Sequence, residues 1–318
     1  MWQLNEITKQ SLQQQAQQRP ADIYKSIAGK VLLLTGSFEY PGAALLSLAA
    51  ARKSGVGYAC LDVARELIPA FAARYPGALY QPRISADSAE FSDTLSSLLS
   101  NYDAVLIGCG RGINSTTGQE LKFLLTHANN LIIDADALRL LAELQAQGEL
   151  APLLATRQRL NLATPVILPH YGELKSLYQV LASAGCSLTA ADYALLSQIE
   201  DEAARRRLTA ALLVQKAYQV NIVVKGVPTY CLVDNQCWCN TDACNALAKA
   251  GSGDVLAGLL AGLLAQGFSA AAAMSIAVYV HCRTAIVLSE RCASTRTVMP
   301  EDLPAAFAAV FASIGLAC

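Results

Sequence analysis

"LAKAGSGDVLAGLLAGLLAQG", residues 247–267, supports two readings at once. Its glycines, serine and aspartate have the form of a helix start that takes a phosphate. The first N–H groups of a helix lack partners, and glycine removes the Cβ that would block an approaching anion. The residues that follow are apolar enough for a membrane span: from 255 to 280 no residue is formally charged, and Gly258 with Gly262 has the spacing of a small-residue helix contact. The break at "AQGFS" (265–269) decides between them. Gly267 stands where a helix C-cap belongs and Ser269 where an N-cap belongs, so the stretch predicts two apolar core helices of about a dozen residues or slightly more and no transmembrane segment.

Outward from this stretch, short aliphatic runs alternate with helical ones: "KVLLLTG" (30–36), "GYACLDV" (57–63), "DAVLIGCG" (103–110), "NLIIDAD" (130–136), "PVILPH" (165–170) and "NIVVKG" (221–226). Continuous apolar runs belong to strands covered on both faces, which implies a mostly parallel sheet between helical layers, an α/β fold. "TYCLVD", "NQ" and "CWCN" then predict a hairpin at the sheet edge. The first 25 or so residues are Gln-rich with a helical pattern, expected to lie across the outside of the sheet. No linker or repeat divides residues 1–318, so one domain is expected.

With 318 residues, 53% hydrophobic and 15% charged, the chain has ample material for a core. A net charge of −1 without a broad basic surface argues against nucleic acid as a partner. "MWQLNEITKQSLQQQAQQRP" has no basic segment followed by an apolar one, so a cytoplasmic location is expected. The ten cysteines are dispersed, and the densest group (Cys231, Cys237, Cys239, Cys244) has no paired CxxC spacing and no histidine nearby. Reduced, mostly buried thiols and no dedicated metal site are expected.

Ligands of parallel α/β sheets gather beyond the carboxyl ends of the strands, where this chain places "GSFEYPGAALL", "GCGRG", "DADAL", "PHYGE" and "KGVPT". Asp254, in the first turn of a helix expected to hold phosphate, is either a plain N-terminal acidic residue or the base that takes a proton from an attacking hydroxyl. His170 and Glu173 either cap the helix that follows or face a ligand, and Arg111 is either a solvated charge in a tight turn or part of a site. No Walker-type GxxxxGK[ST] is present.

The order of these motifs from about residue 25 onward resembles the ribokinase-like superfamily. Within it, the chain is similar to the ADP- or ATP-dependent NAD(P)H-hydrate dehydratases. "GSFEYPGAALLSLAAARKSGVG" (36–57), Gly108 to Gly112, Asp134 to Leu138, His170 to Glu173, Lys225 with Gly226, and above all residues 247–267 carry the likeness. Tyr171, Cys109, Arg111, Ala243, Cys244 and Lys249 depart from the family pattern.

The resemblance implies a three-layer ribokinase-like fold and a lyase that repairs hydrated NADH or NADPH. The ring hydroxyl would be phosphorylated from ADP or ATP with Mg²⁺, and phosphate would then leave. Asp254 would be the base, with Ala43, Gly112 and His170 on the hydrated nicotinamide nucleotide. Lys225, Gly226, Val227, Pro228, Thr229, Gly251, Ser252 and Gly253 would hold the nucleotide, with Asp134, Glu173 and Lys249 in support. A homo-oligomer without a fused epimerase domain, served by a separate epimerase, is the associated expectation. The alternatives are a related thiazole- or pyrimidine-type small-molecule kinase, or a nucleotide-binding protein that has lost turnover.

Overall fold

The computed structural model describes residues 2–17, 19–183 and 186–316. Its strands are β1 (Gln3–Glu6), β2 (Lys30–Leu34), β3 (Tyr58–Val63), β4 (Leu79–Pro82), β5 (Ala104–Ile107), β6 (Asn130–Ile133), β7 (Val166–Ile167), β8 (Asn221–Val224), β9 (Thr229–Val233) and β10 (Gln236–Asn240). They form one ten-stranded sheet in the order β1-β10-β9-β8-β7-β6-β5-β2-β3-β4. From β8 to β4 every pairing is parallel, β8–β9 and β9–β10 are antiparallel, and β1 pairs parallel to β10.

The helices are α1 (Lys9–Gln13), α2 (Pro41–Lys53), α3 (Ile68–Arg74), α4 (Phe91–Leu99), α5 (Ser115–His127), α6 (Asp136–Ala146), α7 (Leu150–Arg159), α8 (Tyr171–Gln179), α9 (Ala190–Leu196), α10 (Glu202–Tyr218), α11 (Ser252–Ala265), α12 (Ala270–Arg291) and α13 (Leu303–Ser313). Alternation along the central strands sends side chains to two cores. Val31 and Leu33 join a cluster with α2, α11, α12 and α13, whereas Leu32 and Leu34 join one with α5 to α10. The layers are helix, sheet, helix.

Each aliphatic run singled out in the sequence contains a strand, and the Asp234–Asn235 turn makes the hairpin. The amino-terminal reading needs correction. Gln3–Glu6 is a strand, helix follows only from Lys9, and β1 takes the edge position outside the hairpin. The reason is pairing: the backbone groups on the open side of β10 accept an edge strand that local Gln content does not reveal. Trp2 anchors this segment by donating its indole N–H to Asp192 at 2.8 Å.

The apolar stretch divides where expected. Gly267 is left-handed after α11, and the Ser269 hydroxyl accepts from the Ala272 N–H to start α12. At 22 residues α12 is longer than the dozen anticipated, and it alone among the described helices is long and apolar enough to cross a bilayer. Most of it is buried inside the protein instead, against α13, β9 and β10. Gly258 and Gly262 are the contact of α11 with α2: a Cβ on Gly258 would fall 2.2 Å from the Ser47 carbonyl oxygen, and one on Gly262 2.0 Å from Ser54 Oγ. The small-residue pair therefore serves a buried helix crossing inside the core.

Candidate active site

The site begins at the amino terminus of α11. Gly251 is the N-cap, left-handed at φ 97°, and a Cβ there would lie 2.5 Å from Leu46 Cδ1, so both conformation and space call for glycine. The Ser252 hydroxyl turns back to the Leu247 carbonyl at 2.8 Å and its N–H donates to the Lys249 carbonyl at 3.3 Å, which leaves the next N–H groups, of Gly253 and Asp254, to an incoming anion.

Asp254 stands in this turn, largely buried. Its carboxyl is pushed up to about 6, first by burial and then by the negative charge of Asp134, against a hydrogen bond from the Cys109 thiol and the ammonium of Lys225. A carboxylate with that proton affinity is ionised near neutrality and still basic enough to accept a proton in a transition state.

Lys225 ends β8 and points at the same place. Its ammonium donates to Asp134 Oδ1 at 2.8 Å and lies 3.8 Å from Glu173, while a Cβ on Gly253 would stand 3.5 Å from its nitrogen. The cation thus overlooks the α11 start, and Gly253 keeps that approach free of a side chain. Asp134 is buried and accepts a second bond, from the Ala135 N–H at 2.9 Å. Ala135 has φ 49° and ψ −119°, a strained conformation for a residue with a Cβ. That strain sits where β6 must turn its carboxylate toward Lys225.

The "GCGRG" turn after β5 supplies the adjacent wall. A Cβ on Gly110 would lie 2.8 Å from that of Ala43, and the Gly112 N–H donates to Asp136 Oδ2 at 2.8 Å. Arg111 is not a solvated charge but is fully buried. It donates to both Glu120 oxygens at 3.1 and 2.7 Å and to the Asp62 carboxylate and carbonyl, while Arg83 binds Glu120 from the other side. The ends of β3 and β4, helix α5 and the glycine turn are tied into one ionic cluster.

His170 caps α8. Its Nδ1 accepts from the Gly172 and Glu173 N–H groups at 2.9 and 3.3 Å, and Glu173 returns the bond to the His170 N–H at 2.7 Å. The capping reading therefore holds for both residues: the cap fixes the exposed His170 ring with Nε2 3.5 Å from Glu173 Oε1, and Glu173 reaches from the cap to Lys225. The "KGVPT" loop is closed by the Thr229 hydroxyl on the Gly226 carbonyl at 2.6 Å, with Val227–Pro228 in cis.

Lys249 is the exception to this convergence. Its ammonium donates to the carbonyls of Thr295, Arg296 and Val298, so it holds the 295–298 loop in place of facing the α11 start. The unpaired carbonyls of that loop outcompete water for the cation.

Sequence reading missed Cys109 against Asp254, Asp136 behind Gly112, and His281. The last is a buried imidazole on α12 beside the Ser252 backbone, lowered to about 4 by burial and so neutral. The first two lie inside motifs already singled out; His281, in mid-helix, gives no local signal. Among the described residues no group of three or more His, Cys, Asp or Glu side chains forms a metal cage, and the described cysteines are all free thiols.

Residues 31–307 match the family described as NAD(P)H-hydrate dehydratase. A bifunctional NAD(P)H-hydrate repair enzyme of Synechocystis is 32% identical over 89% of this chain and 48% of its own length. The chain spans about half the length of such bifunctional relatives. An ADP-dependent (S)-NAD(P)H-hydrate dehydratase of Lactiplantibacillus plantarum is 29% identical, covering 93% of each chain. Among solved structures, an ADP/ATP-dependent NAD(P)H-hydrate dehydratase of Bacillus subtilis, co-crystallised with ATP/Mg²⁺, superposes with TM-score 0.70 at 25% identity over 98% of each chain. A ribokinase-like superfamily protein of Enterococcus faecalis gives 0.74 at 26% identity over 98% of this chain and 97% of its own, and the fold is ribokinase-like.

Proposed function

This chain belongs to the NAD(P)H-hydrate dehydratase family, and from that premise we propose that it repairs hydrated NADH or NADPH by nucleotide-dependent dehydration. The observation that carries the reading is the convergence of Asp254, Lys225 and the glycine-rich start of α11 at one point. Asp254 takes the proton of the ring hydroxyl as that oxygen bonds to the terminal phosphorus of ADP or ATP, and the bond to the leaving nucleotide breaks. The phosphate then departs with the ring C–O bond, a proton leaves the neighbouring carbon, and the dihydronicotinamide is restored.

The α11 amides with Gly251, Ser252 and Gly253 hold the transferred group, Lys225 adds fixed charge, and Gly226, Val227, Pro228 and Thr229 seat the nucleotide. Mg²⁺, when bound, would supply charge neutralisation to the transferring phosphoryl group. Ala43, Gly112 and the exposed ring of His170 face the hydrated nicotinamide nucleotide. The Lactiplantibacillus and Bacillus relatives, whose names give ADP or ADP/ATP dependence, support the donor class. The bifunctional relatives support an epimerase activity as partner, and a cytoplasmic homo-oligomer completes the proposed reading.

Purified protein incubated with NADHX or NADPHX, Mg²⁺ and either nucleotide should regain reduced-nicotinamide absorbance. Nucleotide binding without any recovery of absorbance would reject the dehydratase reading and favour a kinase of another substrate or a protein without turnover.

A further inference from the structure

Helix α10 carries three consecutive arginines, and they differ in what they meet. Arg206 pairs with Glu202 one turn earlier, and Arg205 donates to the Ile199 carbonyl at 3.3 Å. Arg207 turns onto the "KGVPT" loop. One Nη donates to the Pro228 carbonyl, the guanidinium carbon lies 5.9 Å from the centre of the Tyr230 ring, and a Cβ on Gly226 would fall 2.5 Å from Nη1. Gly226, at φ 151°, holds a backbone conformation suited to glycine, and Arg207 packs against its bare face. Among the described residues no carboxylate lies within ion-pairing distance of Arg207, and its Nε is buried with no hydrogen-bond partner.

A half-buried guanidinium has five donors and a charge that protein interiors ordinarily satisfy. Arg111, the other arginine packed into a strand-end loop, has two carboxylates. Arg207 has none, and the loop it abuts begins at Lys225, whose ammonium overlooks the α11 start. Arg157, also without a carboxylate, is filled by four carbonyl oxygens, whereas Arg207 has one carbonyl and an unpartnered Nε and so keeps donor capacity for an acceptor from outside the chain.

We propose that Arg207 is a nucleotide-binding residue whose unpaired charge is reserved for the phosphate groups of a nucleoside di- or triphosphate seated on residues 225–229. This deepens the function proposed above and rests on its nucleotide site, but not on dehydration. The Pro228 contact and the Tyr230 stack hold the guanidinium at the loop, and phosphate oxygens supply the acceptors the protein withholds.

The test is calorimetric titration of the full-length wild type, Arg207→Gln and Arg207→Lys with ADP and, separately, with adenosine, at low and high salt. Arg207→Gln should weaken ADP by about ten-fold or more, the usual size of a charge-assisted hydrogen bond. Adenosine affinity should stay within about two-fold, and the salt dependence of ADP binding should diminish. Arg207→Lys, which keeps charge without the fork, should fall between and controls for folding along with the melting curve. Equal loss of ADP and adenosine would make Arg207 a brace of the loop only and overturn the proposal, as would unchanged ADP affinity. Wild type that binds neither ADP nor ATP overturns both this assignment and the nucleotide site. Wild type that binds ADP yet restores no NADH from NADHX defeats the dehydratase reading alone and leaves the Arg207 comparison decisive.

Discussion

Asp254 has two separable properties, a proton affinity and a cost to the fold, and one substitution reads both. Asp254→Asn should keep nucleotide binding while dehydration falls about a hundred-fold or more, the loss of a positioned base. Wild-type kcat/KM should rise as pH increases through about 6, where the buried carboxyl ionises. For stability the sign is opposite. The folded carboxyl binds its proton more tightly than an ordinary aspartate does, so the ionised form opposes folding above about pH 6 and no penalty remains below about pH 4. Asp254→Asn should therefore melt higher than wild type at pH 7 to 8, by at most about 3 kcal/mol from two pKa units, with the gain fading as pH falls. A stability gain over wild type no larger at pH 8 than at pH 4 would show that burial does not set this pKa. Lys249 offers the contrasting residue. Because its ammonium is spent on the carbonyls of residues 295–298, Lys249→Thr should lower stability by about 1 to 3 kcal/mol in urea unfolding. ADP affinity should stay unchanged at low and high salt, and a salt-dependent loss of ADP affinity would return this lysine to the phosphate site.

Between elements, the α2–α11 crossing depends on the absence of atoms. Gly258→Ala adds helix propensity worth about 1 kcal/mol, yet its Cβ would sit 2.2 Å from the Ser47 carbonyl oxygen. The helices must separate, and a net destabilisation of about 1 to 3 kcal/mol is expected in thermal or urea unfolding. Since α11 also carries Asp254, turnover should fall with the displacement. A fully stable, fully active Gly258→Ala protein would contradict so close a packing. The ionic cluster beneath the "GCGRG" turn makes a second case. Arg111→Leu leaves Asp62 and Glu120 buried without their cation and should cost about 3 to 5 kcal/mol. Adding Asp62→Asn and Glu120→Gln should recover a large part, because the penalty lies in unpaired charge; no recovery in the triple variant would place the loss in packing instead.

At the scale of the whole molecule, the amino-terminal strand closes the sheet. β1 pairs with all of Gln236 to Cys239, and its neighbour Trp2 reaches Asp192 on the helical layer. Removing residues 2–7 should leave β10 as an exposed edge, lower the melting temperature and raise the tendency to associate, followed by light scattering. Equal melting and an unchanged mass distribution would show that the edge tolerates exposure. The catalytic assay belongs to this scale as well, since the site takes residues from α2, the β5, β6, β7 and β8 ends and α11 and exists only once the layers have closed.

The α/β class, the strand positions, the break between α11 and α12 and the sequence positions of Asp254, Lys225 and the glycine turns were legible in the sequence, because each rests on local chemistry. Aliphatic runs need two covered faces, glycine and serine mark helix ends, and strand ends collect ligands. Tertiary structure decided the rest. Whether Arg111 meets water or two carboxylates, whether Lys249 faces phosphate or a carbonyl loop, and whether Gln3–Glu6 becomes strand or helix all depend on partners distant in the chain: Asp62, residues 295–298 and β10. A charged side chain or an unpaired strand takes its role from whichever acceptor the closed fold brings within about 3 Å, and residue order does not encode that distance.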